Sequence, residues 1–276
     1  MKPLLLCTDL DRTLIPNGSQ PESPQAREHF RRLAQHPDAT LAYVSGRSRM
    51  LIQRAIEEYG LPLPDFAIAD VGSTIYRVEA SGWRQWEEWD ELIAPDWKVL
   101  GHDHLSRLLG AFPSLQLQEP EKQAPHKLSF YVPLETDLKK LLDSIAAQLK
   151  FVGIQANLIW SIDVAARIGL LDVLPASANK LHAIRFLMLQ NGFTNASTVF
   201  AGDSGNDLDV LLSDIPAVLV ANADAGVKER VMRATGDTLY TASGGYLGMN
   251  GNYAAGILEG VAHFMPEADV WMRQQE

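Results

Sequence analysis

Cysteine is all but missing from this chain of 276 residues, where Cys7 stands alone. A single cysteine excludes an internal disulfide and any cysteine-rich metal centre. Long apolar runs are missing too. Met1-Lys2-Pro3 leads into only a few apolar residues before Asp9. That fits neither a signal peptide nor a transmembrane segment, and a cytosol is the expected compartment. Positive charge is in deficit, with 24 Lys+Arg against 34 Asp+Glu, a formal net charge of −10 and a pI near 5.2. Nucleic acid and anionic membrane both reward a basic face, so neither is an expected partner. Small anionic ligands stay open, because a local metal ion reverses the field in a site. Internal repeats and low-complexity tracts are absent.

What is present is an ordinary globular composition, 46% hydrophobic and 21% charged, with enough apolar surface to outweigh chain entropy. The length suits one large domain, or a core with a smaller unit inserted. Short apolar runs at 4–7, 41–44 and 66–69 each break into turn-forming or polar residues. Runs of this kind suit strands buried on both faces of a parallel sheet. Helical spacing separates them, with Ala26, Phe30 and Leu33 in one stretch and Leu51, Ile52, Ala55 and Ile56 in the next. The alternation predicts an α/β fold with a doubly wound, Rossmann-like parallel sheet. From about Glu79 the character changes. Trp83, Trp86, Trp89 and Trp97 cluster, a Pro- and Gln-rich passage runs to His126, and two strand-like stretches (127–132 and 155–160) flank a helical one. This predicts an inserted α+β unit over 79–163, between core segments 1–78 and 164–276. The strand–helix alternation resumes at Leu170 and ends in a helix over 253–264.

Asp9 and Asp11 stand directly after the first run, at the carboxyl edge where open α/β sheets place ligands. Residues two apart in extended backbone face one side, so both carboxylates can address one site. Alone, the pair is equally an Asp-rich turn. Three other stretches occupy comparable places. Ser45-Gly46-Arg47 ends the second run, where a hydroxyl and free amides suit a phosphate oxygen. Lys180 opens a helix, and Gly202-Asp203-Ser204-Gly205-Asn206-Asp207 follows the strand-like Val199–Ala201. Each has a bland reading as surface charge or helix cap; chance convergence of all four in order explains little.

These stretches, DLDRT (9–13), SGR (45–47), Lys180 and GDSGND (202–207), resemble the four motifs of haloacid-dehalogenase-type phosphatases. The branch they are most similar to is the sucrose-phosphatase-like one, supported by KLSFYV, LLDVLPASANK and ILEGVAHF. Arg12 departs from the small residue common at its position. The resemblance implies an α+β cap on a phosphatase core, and a Mg²⁺ ion held by Asp9, Asp203, the Asp11 carbonyl, and Asp207 directly or through water. It implies Asp9 as the nucleophile that forms an aspartyl-phosphate, with Asp11 as acid and then base. Leu10, Ser45, Gly46, Lys180 and Asn206 are implied to hold the phosphate. Like-charge repulsion from Asp9 should raise the Asp11 pKa. The implied substrate is a disaccharide phosphate, foremost sucrose 6-phosphate, with mannosylfructose phosphate and glucosylglycerol phosphate as alternatives. The resemblance also allows association with a sugar-phosphate synthase. A non-catalytic sugar-phosphate-binding module would be expected to lose the nucleophile or its partner, whereas Asp9, Asp11, Lys180, Asp203 and Asp207 are all present.

Remaining residues divide between functional and ordinary readings. Asn222 follows an expected strand and is either a turn former or, by the resemblance, a substrate neighbour. Lys127 either reaches the cleft from a cap strand or points to water. The tryptophans of 83–89 have the spacing of one helical face and read as packing rather than sugar stacking. Gly244-Gly245, with Gly248 and Gly251, lacks a nucleotide-loop context and reads as a turn before the last helix.

Overall fold

All five residues of Leu4–Thr8 are buried, as expected of a strand covered on both faces, and this strand organises the molecule. The computed structural model describes residues 1–98, 100–163, 166–233 and 237–275. In chain order it begins β1 (Leu4–Thr8), α1 (Ala26–Ala34), β2 (Ala39–Val44), α2 (Arg49–Tyr59), β3 (Phe66–Ala69), β4 (Thr74–Glu79), β5 (Gly82–Gln85) and α3 (Glu87–Ile93). A second group follows: α4 (His102–Leu109), β6 (Gln116–Leu117), β7 (Leu128–Val132), α5 (Leu138–Phe151), β8 (Ala156–Asp163) and β9 (Ile168–Pro175). The chain returns through α6 (Lys180–Asn191), β10 (Thr198–Gly202), α7 (Leu208–Leu211), β11 (Ala217–Leu219) and α8 (Ala225–Met232). It ends with β12 (Leu239–Thr241), α9 (Ala254–Phe264) and α10 (Pro266–Arg273).

The larger sheet has the order β12-β11-β10-β1-β2-β3-β4-β5. Pairings from β12 to β3 are parallel, and β4 and β5 add an antiparallel hairpin. Because β1 lies between β10 and β2 in parallel, with Thr8 opposite both Ala201 and Tyr43, all three strands end at one edge. That is how Asp9, Ser45 and Asp203 become neighbours. The α/β class read from the alternation is the observed one. Among the described residues, no helix is long and apolar enough to cross a membrane.

A four-stranded antiparallel sheet, β6-β7-β9-β8, carries its own core. In α5, Leu141, Ile145 and Leu149 form a buried stripe at four-residue spacing, and Asp137 caps the helix by accepting from the Lys140 amide at 3.1 Å. This stripe packs with Trp97, Leu105, Phe130 and Leu171, separate from the larger core.

The division of the chain differs from the expected 79–163. The β4–β5 hairpin extends the larger sheet, and Trp86, Trp89 and Ile93 are buried in that sheet's core. At the other end, all of β9 belongs to the smaller sheet. The second unit therefore runs from about Ala94 to Pro175. Nor do the tryptophans share a helical face: Trp83 lies in β5 and Trp89 in α3. Packing is their role, as in the contacts of Trp86 with Phe66 and Phe186.

One turn after β3 controls how α6 approaches the sheet. Asp70, Val71 and Gly72 have φ of 54°, 60° and 98°, a left-handed run that is costly for a β-branched valine. A Cβ on Gly72 would lie 2.3 Å from the Asn179 carbonyl carbon and 2.7 Å from the Lys180 nitrogen. Only glycine admits the first turn of α6 there. Gly72→Ala should destabilise the protein by about 2–4 kcal/mol, since backbone cannot rotate away as a side chain would. A urea-denaturation midpoint equal to that of the parent would refute this account of the contact.

Candidate active site

Lys180 is the first residue of α6 and is 1% exposed. An ammonium so placed needs an acceptor for each of its protons. It finds three: Asp9 Oδ1 at 2.8 Å, Asp207 Oδ1 at 2.6 Å and Asn206 Oδ1 at 2.9 Å. Asp9 follows β1 and continues its ladder, its amide donating to the Ala201 carbonyl at 2.9 Å. Asp207 turns back under its own loop, where Oδ2 accepts from the Asp203 and Ser204 amides at 3.1 and 3.0 Å. A Cβ on Gly202 would come within 2.6 Å of the Asp207 carboxyl carbon, so glycine is what admits that carboxylate.

Asp203 completes a group of three buried carboxylates. Asp9, Asp203 and Asp207 each offer an oxygen within 4.8 Å of the others. Thr13 Oγ1 donates to Asp203 Oδ1 at 3.2 Å, while Asp203 Oδ2 is buried without a hydrogen bond. Arg12 Nε lies 3.5 Å from that oxygen, and its guanidinium pairs with Asp224 at 2.8 Å. Burial pushes the Asp9 carboxyl up to about 7; Lys180 opposes the rise, and Asp207 and Asp11 add to it. Burial also drives Asp203 well above its ordinary value, reinforced by Asp9 and Asp207 and opposed by Arg12. Excess negative charge, clustered oxygens and an orphaned carboxylate oxygen together fit a divalent cation.

Asp11 behaves differently. Arg47 grips it through two hydrogen bonds, Nε to Oδ2 at 2.7 Å and Nη2 to Oδ1 at 2.6 Å, and Asn17 donates to Oδ1 at 2.7 Å. Burial raises its pKa, but Arg47 and Asn17 outweigh burial, and the carboxyl sits below its ordinary value. The expectation of a raised pKa is therefore corrected: the bidentate arginine, with Asn17, outweighs the burial that would raise it. Nor does the Asp11 carboxylate join the three-carboxylate group.

The phosphate-side residues converge. Ser45 is buried, and its Oγ accepts from the Arg47 amide at 3.2 Å. A Cβ on Gly46 would lie 3.9 Å from Asn206 Nδ2, which joins the second stretch to the fourth. The Leu10 side chain is fully buried, so only its backbone can serve a ligand. Two expected substrate residues are turned elsewhere. Asn222 donates to the Arg12 carbonyl at 2.6 Å and accepts from the Tyr253 amide at 2.8 Å, which ties loops together. Lys127 is buried against core backbone, with Nζ 3.0 Å from the Gly46 carbonyl and 3.3 Å from Asp70 Oδ1. A cleft of about 450 Å³ between the two units, lined by Ser48, Arg49, Tyr76, Gln85 and Gln123, borders Asp70 but none of the acidic group.

Arg12, Thr13, Arg47, Asp70 and Asp224 were not expected at the site. Thr13 and Arg47 sit inside the motif stretches, which is the one signal the sequence carried for them. Arg12, the departure from the small residue common at its position, borders the acidic group.

The family model for sucrose-6F-phosphate phosphohydrolase matches residues 2–265. The chain belongs to that family. A putative HAD-like hydrolase of Nitrosococcus oceani is 55% identical over 98% of this chain and 74% of its own length. The mannosylfructose-phosphate phosphatase of Agrobacterium fabrum is 29% identical, over 96% of this chain and 98% of its own. Plant sucrose-phosphatases from tobacco and Arabidopsis also match, and the chain spans 50–59% of their length. Among solved structures, the sucrose-phosphatase of Synechocystis sp. PCC6803, in complex with sucrose and phosphate, superposes with a TM-score of 0.79 at 28% identity. That match covers 96% of this chain and 98% of the other. Membership places the chain among haloacid-dehalogenase-type sugar phosphatases.

An acid whose pKa is raised on folding holds a proton that the unfolded chain has already lost. Stability then falls as pH rises from the unfolded value toward the folded one. In EDTA, Tm should fall as pH rises from about 5 to about 7, the value to which Asp9 is raised, with the raised Asp203 adding to the fall. Asp203→Asn should flatten that fall, and added MgCl₂ should raise Tm most at pH 8. Equal slopes for parent and variant, or a Mg²⁺ increment independent of pH, would contradict the charge account.

Proposed function

We propose that the protein is a Mg²⁺-dependent phosphatase of disaccharide phosphates, foremost sucrose 6-phosphate, and that it acts through a phosphoryl-aspartate on Asp9 in the cytosol. One observation carries the reaction class: Lys180 binds one oxygen of Asp9 while Asp203 and Asp207 crowd the same edge. A buried carboxylate beside an ammonium is restrained for attack, and its second oxygen remains for phosphorus. Family membership and the likeness to a sucrose-phosphatase support the substrate.

Asp9, Asp203, Asp207 and the Asp11 carbonyl would hold Mg²⁺, which when bound screens the dianionic phosphate from the carboxylates. Asp9 attacks phosphorus, and the bond from phosphorus to the sugar oxygen breaks. The leaving alkoxide takes a proton from Asp11. Arg47 holds Asp11 as an anion, so Asp11 must gain a proton and exchange Arg47 for the ester oxygen before this step. Asp11 then accepts a proton from water, whose oxygen attacks phosphorus, freeing phosphate and restoring Asp9. Throughout, Lys180, Ser45, Asn206 and the Gly46 amide bind the equatorial oxygens, where charge must be stabilised.

A mannosylfructose phosphate is the second reading. It is supported by the full-length match to a phosphatase of that name, which is as complete as the match to the Synechocystis sucrose-phosphatase. Phosphate release should be measured from sucrose 6-phosphate, mannosylfructose phosphate, glucosylglycerol phosphate and p-nitrophenyl phosphate. A disaccharide phosphate should exceed the aryl ester in kcat/KM by at least a hundredfold, and EDTA should abolish turnover until Mg²⁺ is restored. Asp9→Asn should lose at least a thousandfold in kcat while folded. Equal rates on all esters would sink the disaccharide reading, and no release from any of them would favour a binding module.

A further inference from the structure

Lys127 is 2% exposed and lies between the two sheets. Lysine rarely accepts such a place without an anion and good acceptors. Here Asp70 supplies the anion and Gly46 the carbonyl, at 3.3 and 3.0 Å. Neither is part of the unit that carries Lys127. The partners matter for what they hold. Three consecutive carbonyls, those of Ser45, Gly46 and Arg47, are each fixed from outside the loop. Val71 N–H donates to Ser45 O at 3.0 Å, Lys127 to Gly46 O, and Asp70 N–H to Arg47 O at 3.0 Å. Two of these donors belong to the left-handed turn 70–72, and Asp70 also binds Lys127 through its side chain. Only the Gly46 carbonyl depends on the smaller unit.

We propose that Lys127 is a positioning residue, coupling the docking of the cap to the orientation of the Gly46–Arg47 peptide and so to the phosphate-holding loop. This rests on that loop holding the transferred phosphoryl group. A peptide group is rigid, so fixing the Gly46 carbonyl fixes the direction of the Arg47 amide, which donates to the Ser45 hydroxyl oxygen at 3.2 Å and so orients that phosphate-side group. With the cap undocked, Gly46 O and Asp70 lose their ammonium, and the turn that braces Ser45 and Arg47 loses its charge partner. The loop is then formed only when the cap is seated over it. Because Lys127 acts on the phosphate side, its effect is common to every phosphate ester. A lysine that contacted sugar hydroxyls would discriminate among esters instead.

The test uses the full-length protein with Lys127→Met, Lys127→Arg and the double variant Lys127→Met/Asp70→Asn. Turnover is measured on p-nitrophenyl phosphate and on the best sugar phosphate, with orthovanadate affinity as a phosphate-mimic readout and Tm for stability. Lys127→Met should lower kcat at least tenfold on both esters by similar factors and weaken vanadate at least tenfold, with KM changing less than threefold. Arginine keeps a donor for Gly46 O and should recover part of kcat. The double variant should recover Tm, having no unpaired buried charge, yet keep the low kcat and weak vanadate binding. If it recovers kcat as well, the lysine serves only as an ion-pair partner, and the proposal fails. If Lys127→Met leaves the aryl ester untouched and raises only the sugar-phosphate KM, it is a substrate contact, and the proposal fails. Vanadate binding decides the matter even if the parent hydrolyses nothing, an outcome that would defeat the phosphatase reading alone.

Discussion

The ammonium of Lys180 sits where three segments far apart in sequence have to agree. Its bonds to Asp9, Asp207 and Asn206 require β1 and β10 to be parallel neighbours, α6 to begin at their carboxyl edge, and the 202–207 loop to fold back on itself. Removing a charge from water costs several kcal/mol, and breaking a buried pair is worse than never burying it, by roughly 3–5 kcal/mol. The surrounding glycines follow from the same demand. Gly72 lets α6 come close enough to deliver the lysine, and Gly202 lets Asp207 reach it. What the site needs for chemistry is also what fixes the approach of helix to sheet.

That cluster is electrostatically incomplete on its own. One ammonium faces three carboxylates, and Arg12 divides its charge between Asp203 and Asp224. The rise of Asp9 and Asp203 above ordinary carboxylates expresses the imbalance. Such an arrangement adds nothing to stability by itself, and it is a cation that compensates it. Asp11 is the contrast. It lies two residues from Asp9, far nearer in sequence than Asp203 or Asp207, yet it is satisfied by Arg47 and Asn17.

The sequence carried the edge of the larger sheet because strand ends there announce themselves. A short apolar run that stops at Asp, Ser-Gly or Gly-Asp has one simple meaning in a parallel sheet, and the four stretches fall in place. Asp9, Asp203 and Asp207 come within 4.8 Å of one another, and Lys180 binds Asp9 and Asp207. The edges of the second unit were less legible. Trp83, Trp86 and Trp89 have a helical spacing, but a hairpin at Gly82 takes the first into a strand and sends the others into the large core. Three residues are too few to fix a period, and the spacing crosses a strand, a turn and a helix that no single period spans. The partners of Arg47 and Lys127 were not legible for another reason. What each does depends on a rotamer and on one unit resting on another, and no local pattern encodes either.

Separation of labour follows from this architecture. The acidic group is built on the edge of the larger sheet, and among the described residues the smaller sheet supplies no carboxylate to it. A catalyst divided in this way risks hydrolysing any ester that diffuses to the exposed half. Tying the phosphate loop to a cap lysine reduces that risk, because the competent loop and the selecting surface then exist together. The left-handed turn 70–72 suits the purpose: strained backbone is maintained only while its contacts persist, and its contacts run to the loop, to α6 and to the cap at once. In the proposed coupling, the joint between the two units is where selectivity and reactivity would meet.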